Sequence, residues 1–213
     1  MLNQLLSGHM NLPLFLTWIV ALSIALTVHE FAHAWVADRA GDPTPRAHGR
    51  VSLNPLAHYD LIGTTAILLF GMGWGKPVPV NPLNFRRPRL DDIWVSLAGI
   101  IANLITATIF ALLIRFGVAG IYRSTFYVIA SLNLMLAFFN ILPIYPLDGS
   151  HVLSNLLPVR QARKLGEFYM RWGLPMLMLL VFFGGRLLVV LVSIPQQFVL
   201  HLLLGNGLGG FFL

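Results

Sequence analysis

A glutamate that follows one histidine and precedes another by three positions is the part of this sequence best suited to chemistry: His29-Glu30-Phe31-Ala32-His33. On a helix, residues four apart share a face, so both imidazoles can bind one metal ion. Glu30 lies about 100° around the helix from His29. It can therefore miss the metal, reach a water on it and act as the general base. The spacing predicts a catalytic zinc site with His29 and His33 as ligands.

A catalytic zinc needs a third protein ligand, and Asp148 is the candidate. It stands in Pro146-Leu147-Asp148-Gly149, where proline ends a helix and glycine permits a turn. The alternative is that Asp148 only caps a helix at the membrane interface. Four rival donors lie in polar connections, where a solvated role is the default: His48, His58, Asp60 and His151. We expect one Zn²⁺ per chain.

The composition places these residues in a membrane. Of 213 residues, 57% are hydrophobic and 10% are charged, against about 25% charged in ordinary globular proteins. Because about 20 apolar residues cross a bilayer as a helix, the apolar runs predict spans near 14–39, 92–114, 124–147 and 169–186. Ionisable side chains inside a span are costly unless they pair or function, which disfavours a purely structural role for the histidine pair. We predict an all-α polytopic membrane protein with four to five transmembrane helices.

Two segments do not fit a simple span. Residues 61–75 are short for a span and contain four glycines, so we expect a re-entrant or interfacial element there. The connection between the first and second core spans as a whole is expected to contain a re-entrant or β-like membrane-associated element. The uncharged tail 187–213 is interrupted by Pro195 and by glycines, and it can span, re-enter or lie on the membrane. We treat residues 1–213 as one domain, with a core at about 14–158 and a C-terminal span and tail at about 169–213.

The basic residues predict the orientation. With the N-terminus outside, eleven of the 14 lysines and arginines lie on one side: Arg39, Arg46, Arg50, Lys76, Arg86, Arg87, Arg89, Arg160, Arg163, Lys164 and Arg171. The other side holds three: Arg115, Arg123 and Arg186. The positive-inside rule makes the first side cytoplasmic, with loops at 40–91 and 148–168. It also explains the net charge of +6 without nucleic acid. The predicted location is the plasma or inner membrane, with the active site toward the cytoplasm.

Several motifs together resemble the site-2 protease family of intramembrane zinc metalloproteases. Beside the histidine motif stand Gly99-Ile100-Ile101-Ala102-Asn103, similar to the family's Gly-Pro-x-x-Asn, and Asn140-Ile141-Leu142-Pro143 followed by Leu147-Asp148-Gly149. The family's aspartate ligand falls eight residues after its motif asparagine, as Asp148 does after Asn140. The segments at 49–55 and 73–81 look like a compact prokaryotic branch. Ile100 and Tyr145 depart from family prolines without removing a ligand or the base. We expect no appended PDZ or CBS domain.

The resemblance implies an intramembrane zinc metalloendopeptidase that cuts transmembrane proteins near the cytoplasmic interface, in regulated intramembrane proteolysis. Asn140 is a candidate catalytic donor to the oxyanion, and its alternative is a structural hydrogen bond between helices. Asn103 is expected to pack one core span against another. The implied partners are single-pass transmembrane substrates, the lipid bilayer and a separate regulatory membrane protein, with the oligomeric state open. Two alternative functions are a membrane metal transporter and an inactive binder of transmembrane segments.

The segment 76–81, Lys76-Pro77-Val78-Pro79-Val80-Asn81, predicts how a substrate is held. Prolines disfavour helix at their own positions and at the preceding ones. In a strand, Pro77 and Pro79 would leave one edge without donors, while Val78 and Val80 would keep theirs on the other. We expect that second edge to bind an unwound substrate by strand addition. The alternative is a rigid connector that does not contact substrate.

Overall fold

Helices account for most of the chain in the computed structural model, which describes residues 11–70 and 73–205, without the side chains of 68–70. The described residues contain no strand. The helices are α1 (Leu12–Ala40), α2 (Thr44–Ala47), α3 (Leu61–Phe70), α4 (Pro88–Arg115), α5 (Arg123–Asn140), α6 (Asp148–Leu156), α7 (Val159–Phe183), α8 (Gly185–Leu188) and α9 (Ile194–Leu204). A π-helical turn, Val189–Ser193, joins α8 to α9, and 3₁₀ turns lie at Pro55–Ala57, Pro82–Asn84 and Gly120–Tyr122.

Five helical stretches in the described residues are long and apolar enough to cross a membrane: Leu12–Ala40, Pro88–Arg115, Gly120–Asn140, Val159–Phe183 and Gly185–Leu204. The prediction of an all-α polytopic membrane protein is therefore confirmed, at the upper of the two expected numbers of spans. The fifth stretch is the helical part of the tail that the sequence left open. Residues 206–213 of that tail lie outside the described residues.

Helices α1, α4 and α5 pack against one another and form the core of the fold. The residues buried between them include many alanines: Ala21, Ala25, Ala107, Ala111 and Ala130. Small side chains let helix backbones approach closely, which favours packing between helices in a membrane. The last helix, α9, covers the face that α4 and α5 leave open, with Leu200 in the same cluster as Leu134. This close packing lets side chains of three helices meet at one depth.

The connection between α5 and α6 differs from the prediction. Helix α5 ends at Asn140, seven residues before the expected end of the span, and α6 begins at Asp148. Pro143 and Pro146 explain the early end, because a proline lacks the N–H that a continuing helix needs. Helix α7 begins at Val159, ten residues before its predicted start, since its charged first turns stay helical outside the apolar run.

Residues 58–70 and 73–76 lie on two limbs that meet at their ends. Helix α3 lies on the first limb, and Gly63 lies so close to Trp74 that a Cβ there would be 2.2 Å from the Trp74 carbonyl oxygen. The Lys76 N–H donates to the His58 carbonyl at 2.8 Å and joins the two limbs. The β-like part of the prediction is wrong for the described residues, because the prolines of 76–81 leave no strand. A re-entrant position of the two limbs stays a prediction.

The C-terminal helix α9 runs beside α5 in the opposite direction. Gln196 at its start donates from Nε2 to Ser131 Oγ at 2.7 Å. Gly205 at its end lies against the side chain of Arg115, the last residue of α4. The end of α9 therefore lies at the same end of the bundle as the end of α4. The first residues of α4 lie at the other end, where the Arg86 N–H donates to the Ala40 carbonyl.

Candidate metal centre and catalytic site

Two helices bring three potential metal ligands together. Helix α1 places His29 and His33 one turn apart on its buried face, with their Nε2 atoms 3.1 Å from each other. Asp148, the first residue of α6, brings its Oδ2 to 3.3 Å from His29 Nε2 and 3.4 Å from His33 Nε2. Asp148 is 115 positions beyond His33 in the sequence, yet the three residues form the group among the described residues that can hold a metal ion.

The hydrogen bonds of the two imidazoles favour the tautomer that a metal ligand needs, with the proton on Nδ1. His33 Nδ1 lies 2.6 Å from the Val95 carbonyl, which can only accept, so this nitrogen carries the proton. His29 Nδ1 lies 2.7 Å from Asn103 Oδ1 and donates to it. In the neutral imidazoles both Nε2 lone pairs would then face the Asp148 carboxylate. Three electron-pair donors at this separation repel one another unless a cation lies between them.

The donor set fits zinc. Ligands held about 2.0–2.1 Å from a tetrahedral zinc lie about 3.3 Å from each other, and the three observed separations are 3.1, 3.3 and 3.4 Å. Within the described part of the chain, Asp148 Oδ2 is buried without a hydrogen-bond partner, as a carboxylate that binds a metal would be. Three protein ligands also leave a fourth position for water, as catalytic zinc sites do.

Two glycines let the backbone come close enough to build this site. A Cβ at Gly99 of α4 would lie 2.5 Å from His33 Nε2 and 2.6 Å from His29 Nδ1. A Cβ at Gly149 would lie 2.1 Å from the Ile141 carbonyl oxygen, so a side chain there would push Asp148 away. Gly99 and Asn103 are four residues apart on one face of α4. The first makes room for the imidazoles and the second accepts a hydrogen bond from one of them.

Glu30 contacts the segment that the sequence assigned to substrate binding. The Val78 N–H donates to Glu30 Oε2 at 3.2 Å. This contact joins the predicted general base on α1 to residues 76–81, which are 48 positions further along the chain. The segment therefore lies against the candidate general base.

The rest of the segment is fixed to the end of α1. Asp42, which is buried, accepts hydrogen bonds from the Asn81 N–H at 2.7 Å, from Asn84 Nδ2 at 2.7 Å and from Thr44. Burial by itself raises the pKa of Asp42, but these hydrogen bonds outweigh it and hold the pKa below its ordinary value. Val80 packs against a cluster of Ala37, Phe85 and Val95. The segment is therefore bound to Glu30 near its start, through Val78, and to Asp42 at its end, through Asn81.

These contacts change one expectation about the edge that carries Val78 and Val80. The edge was expected to keep its donors for a substrate, and in the structure the Lys76 N–H is bound to His58 and the Val78 N–H to Glu30. The physical reason is that the segment packs with this edge against the protein. A substrate carbonyl that accepts a hydrogen bond from the Val78 N–H must therefore displace the Glu30 carboxylate.

The other candidate residues lie apart from the three-residue group in the described structure. Asn140 donates from Nδ2 to the Leu136 carbonyl at 3.0 Å, one turn back in its own helix. Its second amide hydrogen is available to a substrate, and that role stays a prediction. The rival ligands have local partners: His48 bonds to the Thr44 carbonyl, His58 to the Ser52 carbonyl, Asp60 caps α3, and His151 lies 3.9 Å from Asp92.

Comparison with known proteins gives the class that this site indicates. Residues 117–184 match the model of Peptidase family M50. A Bacillus subtilis protein named as a candidate zinc metalloprotease, YwhC, is 43% identical over 163 residues, covering 71% of this chain and 74% of the relative. The candidate zinc metalloprotease Rip2 of Mycolicibacterium smegmatis is 29% identical over 167 residues, covering 75% of this chain and 64% of that relative. No solved structure matches this chain.

The chain belongs to Peptidase family M50, the site-2 protease family of membrane zinc metalloproteases. It is a multi-pass membrane protein and a zinc metalloprotease. The resemblance drawn from the sequence motifs and the prediction of zinc are thereby confirmed.

Proposed function

We propose that this enzyme hydrolyses peptide bonds of transmembrane proteins close to the cytoplasmic face of the membrane, with zinc held by His29, His33 and Asp148. The observation that carries the proposal is the convergence of these three side chains from helices α1 and α6 with tetrahedral spacing. Bound zinc would lower the pKa of a water and polarise the scissile carbonyl.

The protein's own groups have separate tasks in this mechanism. Glu30 takes a proton from the attacking water at a carboxylate oxygen and returns it to the nitrogen of the departing amine. Asn103 and the Val95 carbonyl hold the two imidazoles in the orientation that presents Nε2. Asn140, at the end of α5, is proposed to donate its free amide hydrogen to the developing oxyanion. A helical substrate hides its carbonyls in its own hydrogen bonds, so it must unwind before attack.

The segment 76–81 is proposed to hold the unwound substrate through Val78 and Val80. The Val78 N–H now bonds to Glu30, so a substrate carbonyl that takes this donor releases the carboxylate beside the scissile bond. Substrate pairing and release of the general base would then be one event. This coupling gives a reason for the segment to lie directly on Glu30.

The charge distribution supports an orientation with the site near the cytoplasm. Seven of the 14 basic residues lie from the last turn of α1 to the first turn of α4, and four more lie in the first half of α7. Cleavage there in a plasma or inner membrane would release a cytoplasmic fragment, which is the basis of regulated intramembrane proteolysis. Single-pass proteins are the proposed substrates, and a separate membrane protein is the proposed regulator.

A pair of variants tests the substrate segment. Val78→Pro removes the donor and should abolish cleavage while zinc content and expression stay near those of the wild type. The matched control is the double variant Pro77→Ala, Pro79→Ala, which changes the opposite edge and should keep activity. If Val78→Pro cleaves a reconstituted transmembrane substrate at the wild-type rate, the segment does not bind substrate.

A further inference from the structure

We infer that Asn133 is a positioning residue for the metal site, acting on His29 through Asn103. Asn133 lies on α5, does not touch the three-residue group and is completely buried. Its amide and that of Asn103 form one chain of hydrogen bonds that crosses the three core helices. The inference rests on His29 being a zinc ligand, as proposed above.

The direction of this chain is fixed at its far end. Asn133 Nδ2 donates to the Ile129 carbonyl at 2.8 Å, one turn back on α5. A carbonyl can only accept, so the amide nitrogen must face it and Oδ1 must face away. Asn133 Oδ1 then accepts from Asn103 Nδ2 at 2.8 Å. The backbone of α5 thus decides which way the Asn133 amide points.

Asn103 passes this direction on to the histidine. Its Nδ2 donates to Asn133 Oδ1 and also to the Ala25 carbonyl at 3.0 Å, so both of its hydrogens are used. Only Oδ1 remains to face His29, and an oxygen there requires the proton on Nδ1. The Nε2 lone pair is then directed at the metal. If the Asn103 amide turned over, its NH₂ would face Nδ1 and favour the proton on Nε2, where it would block zinc.

Burial makes this orientation strongly selective. Asn103 and Asn133 both have no exposed surface. If either amide rotated by 180°, N–H groups would face other N–H groups, and no water could accept their hydrogen bonds. An unsatisfied buried polar group costs about 1–3 kcal/mol. The Ala25 carbonyl alone can also hold Asn103, so loss of Asn133 should weaken the orientation without abolishing it. Partners of metal-ligating histidines typically change metal affinity about 10- to 100-fold, and we expect about tenfold for Asn133, at the weaker end.

The test measures zinc affinity by competition with a chelator on purified full-length protein. Asn133→Leu should lower the affinity about tenfold. Asn133→Thr should restore it to within about threefold, because its hydroxyl can still bond the Ile129 carbonyl and accept from Asn103. The matched control is Gln196→Leu. It removes a hydrogen bond from α9 to Ser131, which lies on α5 as Asn133 does, and this variant should bind zinc as the wild type does. Equal affinity in Asn133→Leu and the wild type would overturn the inference.

A double-mutant cycle separates this chain from general damage to the fold. Because Asn133 acts only through Asn103, adding Asn133→Leu to Asn103→Ala should cause no further loss of affinity. Additive losses would contradict the inference. Where Asn133→Leu does not fold, Asn133→Ala takes its place in both measurements, with the same expected loss of affinity and the same absence of a further loss beside Asn103→Ala.

His29→Ala tells the two possible failures apart. If His29→Ala keeps zinc, the proposed ligand set is wrong. If His29→Ala loses zinc while Asn133→Leu binds as the wild type does, the ligand set stands and only the role of Asn133 is wrong.

Discussion

Replacing Gly99 by alanine should damage the metal site more than the fold. The new Cβ would lie 2.5 Å from His33 Nε2 and 2.6 Å from both Cε1 and Nδ1 of His29. Ordinary contacts of this kind are about 3.5 Å, so the imidazoles or α4 must move by about 1 Å. The methyl group meets both proposed histidine ligands at once, and neither ring can move without leaving its hydrogen-bond partner.

The expected effects follow from that displacement. Overpacking of a buried site costs about 1–3 kcal/mol of stability, which a folded membrane protein can tolerate. A displacement of about 1 Å in a catalytic group costs about 100-fold in rate. We therefore expect Gly99→Ala to fold, to bind zinc at least tenfold more weakly and to cleave about 100-fold more slowly.

The assay compares zinc affinity, thermal unfolding and cleavage of a transmembrane substrate in liposomes. Gly166→Ala on α7 is the matched control, because a Cβ there meets nothing within 4 Å. It should be neutral or slightly stabilising, since alanine favours helix over glycine by about 1 kcal/mol. If Gly99→Ala binds zinc and cleaves within threefold of the wild type, the close approach of α4 to the histidines does not govern the site.

Three further predictions concern the ligand, the orientation and the segment 76–81. Asp148→Ala should lose zinc at micromolar free metal, and unchanged affinity by metal analysis would place the third ligand elsewhere. A cysteine at Arg87, in a chain with no native cysteine, should react with an impermeant reagent from the cytoplasmic side; labelling from outside alone would reverse the proposed topology. Asp42→Asn should lower stability at pH 7 by about 1–3 kcal/mol. Because folding depresses the pKa of Asp42, this stabilisation is present above the pKa of the unfolded state and is lost as pH falls through the pKa of the folded state. The wild type and Asp42→Asn should therefore have the same stability well below pH 4. A stability difference that does not change with pH would contradict this reasoning.

The sequence predicted which three side chains the structure brings together, because the signals for them are local. His29 and His33 share a helix face by spacing alone, and Asp148 was found from the break in an apolar run. The positions of α1 and α4 followed from hydropathy in the same way, to within a few residues. The end of α5 was misplaced because apolar residues after Asn140 continue the hydropathy signal while Pro143 and Pro146 end the helix.

The contacts that orient the ligands could not be predicted with the same ease. The bond from His29 to Asn103 joins positions 74 apart, and the link onward to Asn133 depends on the packing of three helices. One signal for this contact was present in the sequence. Gly99 and Asn103 are four residues apart on a helix, so a small and a polar side chain face the same neighbouring helix. The bond from the Val78 N–H to Glu30 could not be predicted either, because strand alternation says which groups share an edge, but not which edge faces the protein.

The most direct test of zinc-dependent proteolysis by this site uses Glu30→Gln. We would compare the membrane proteomes of cells that produce wild-type protein or this variant, after checking that both proteins carry one zinc per chain. We expect single-pass proteins to accumulate uncut in the variant, with the corresponding new N-termini present only in the wild type. Identical N-termini in the two proteomes, with equal zinc content, would contradict the assignment of Glu30 as the general base of an intramembrane protease.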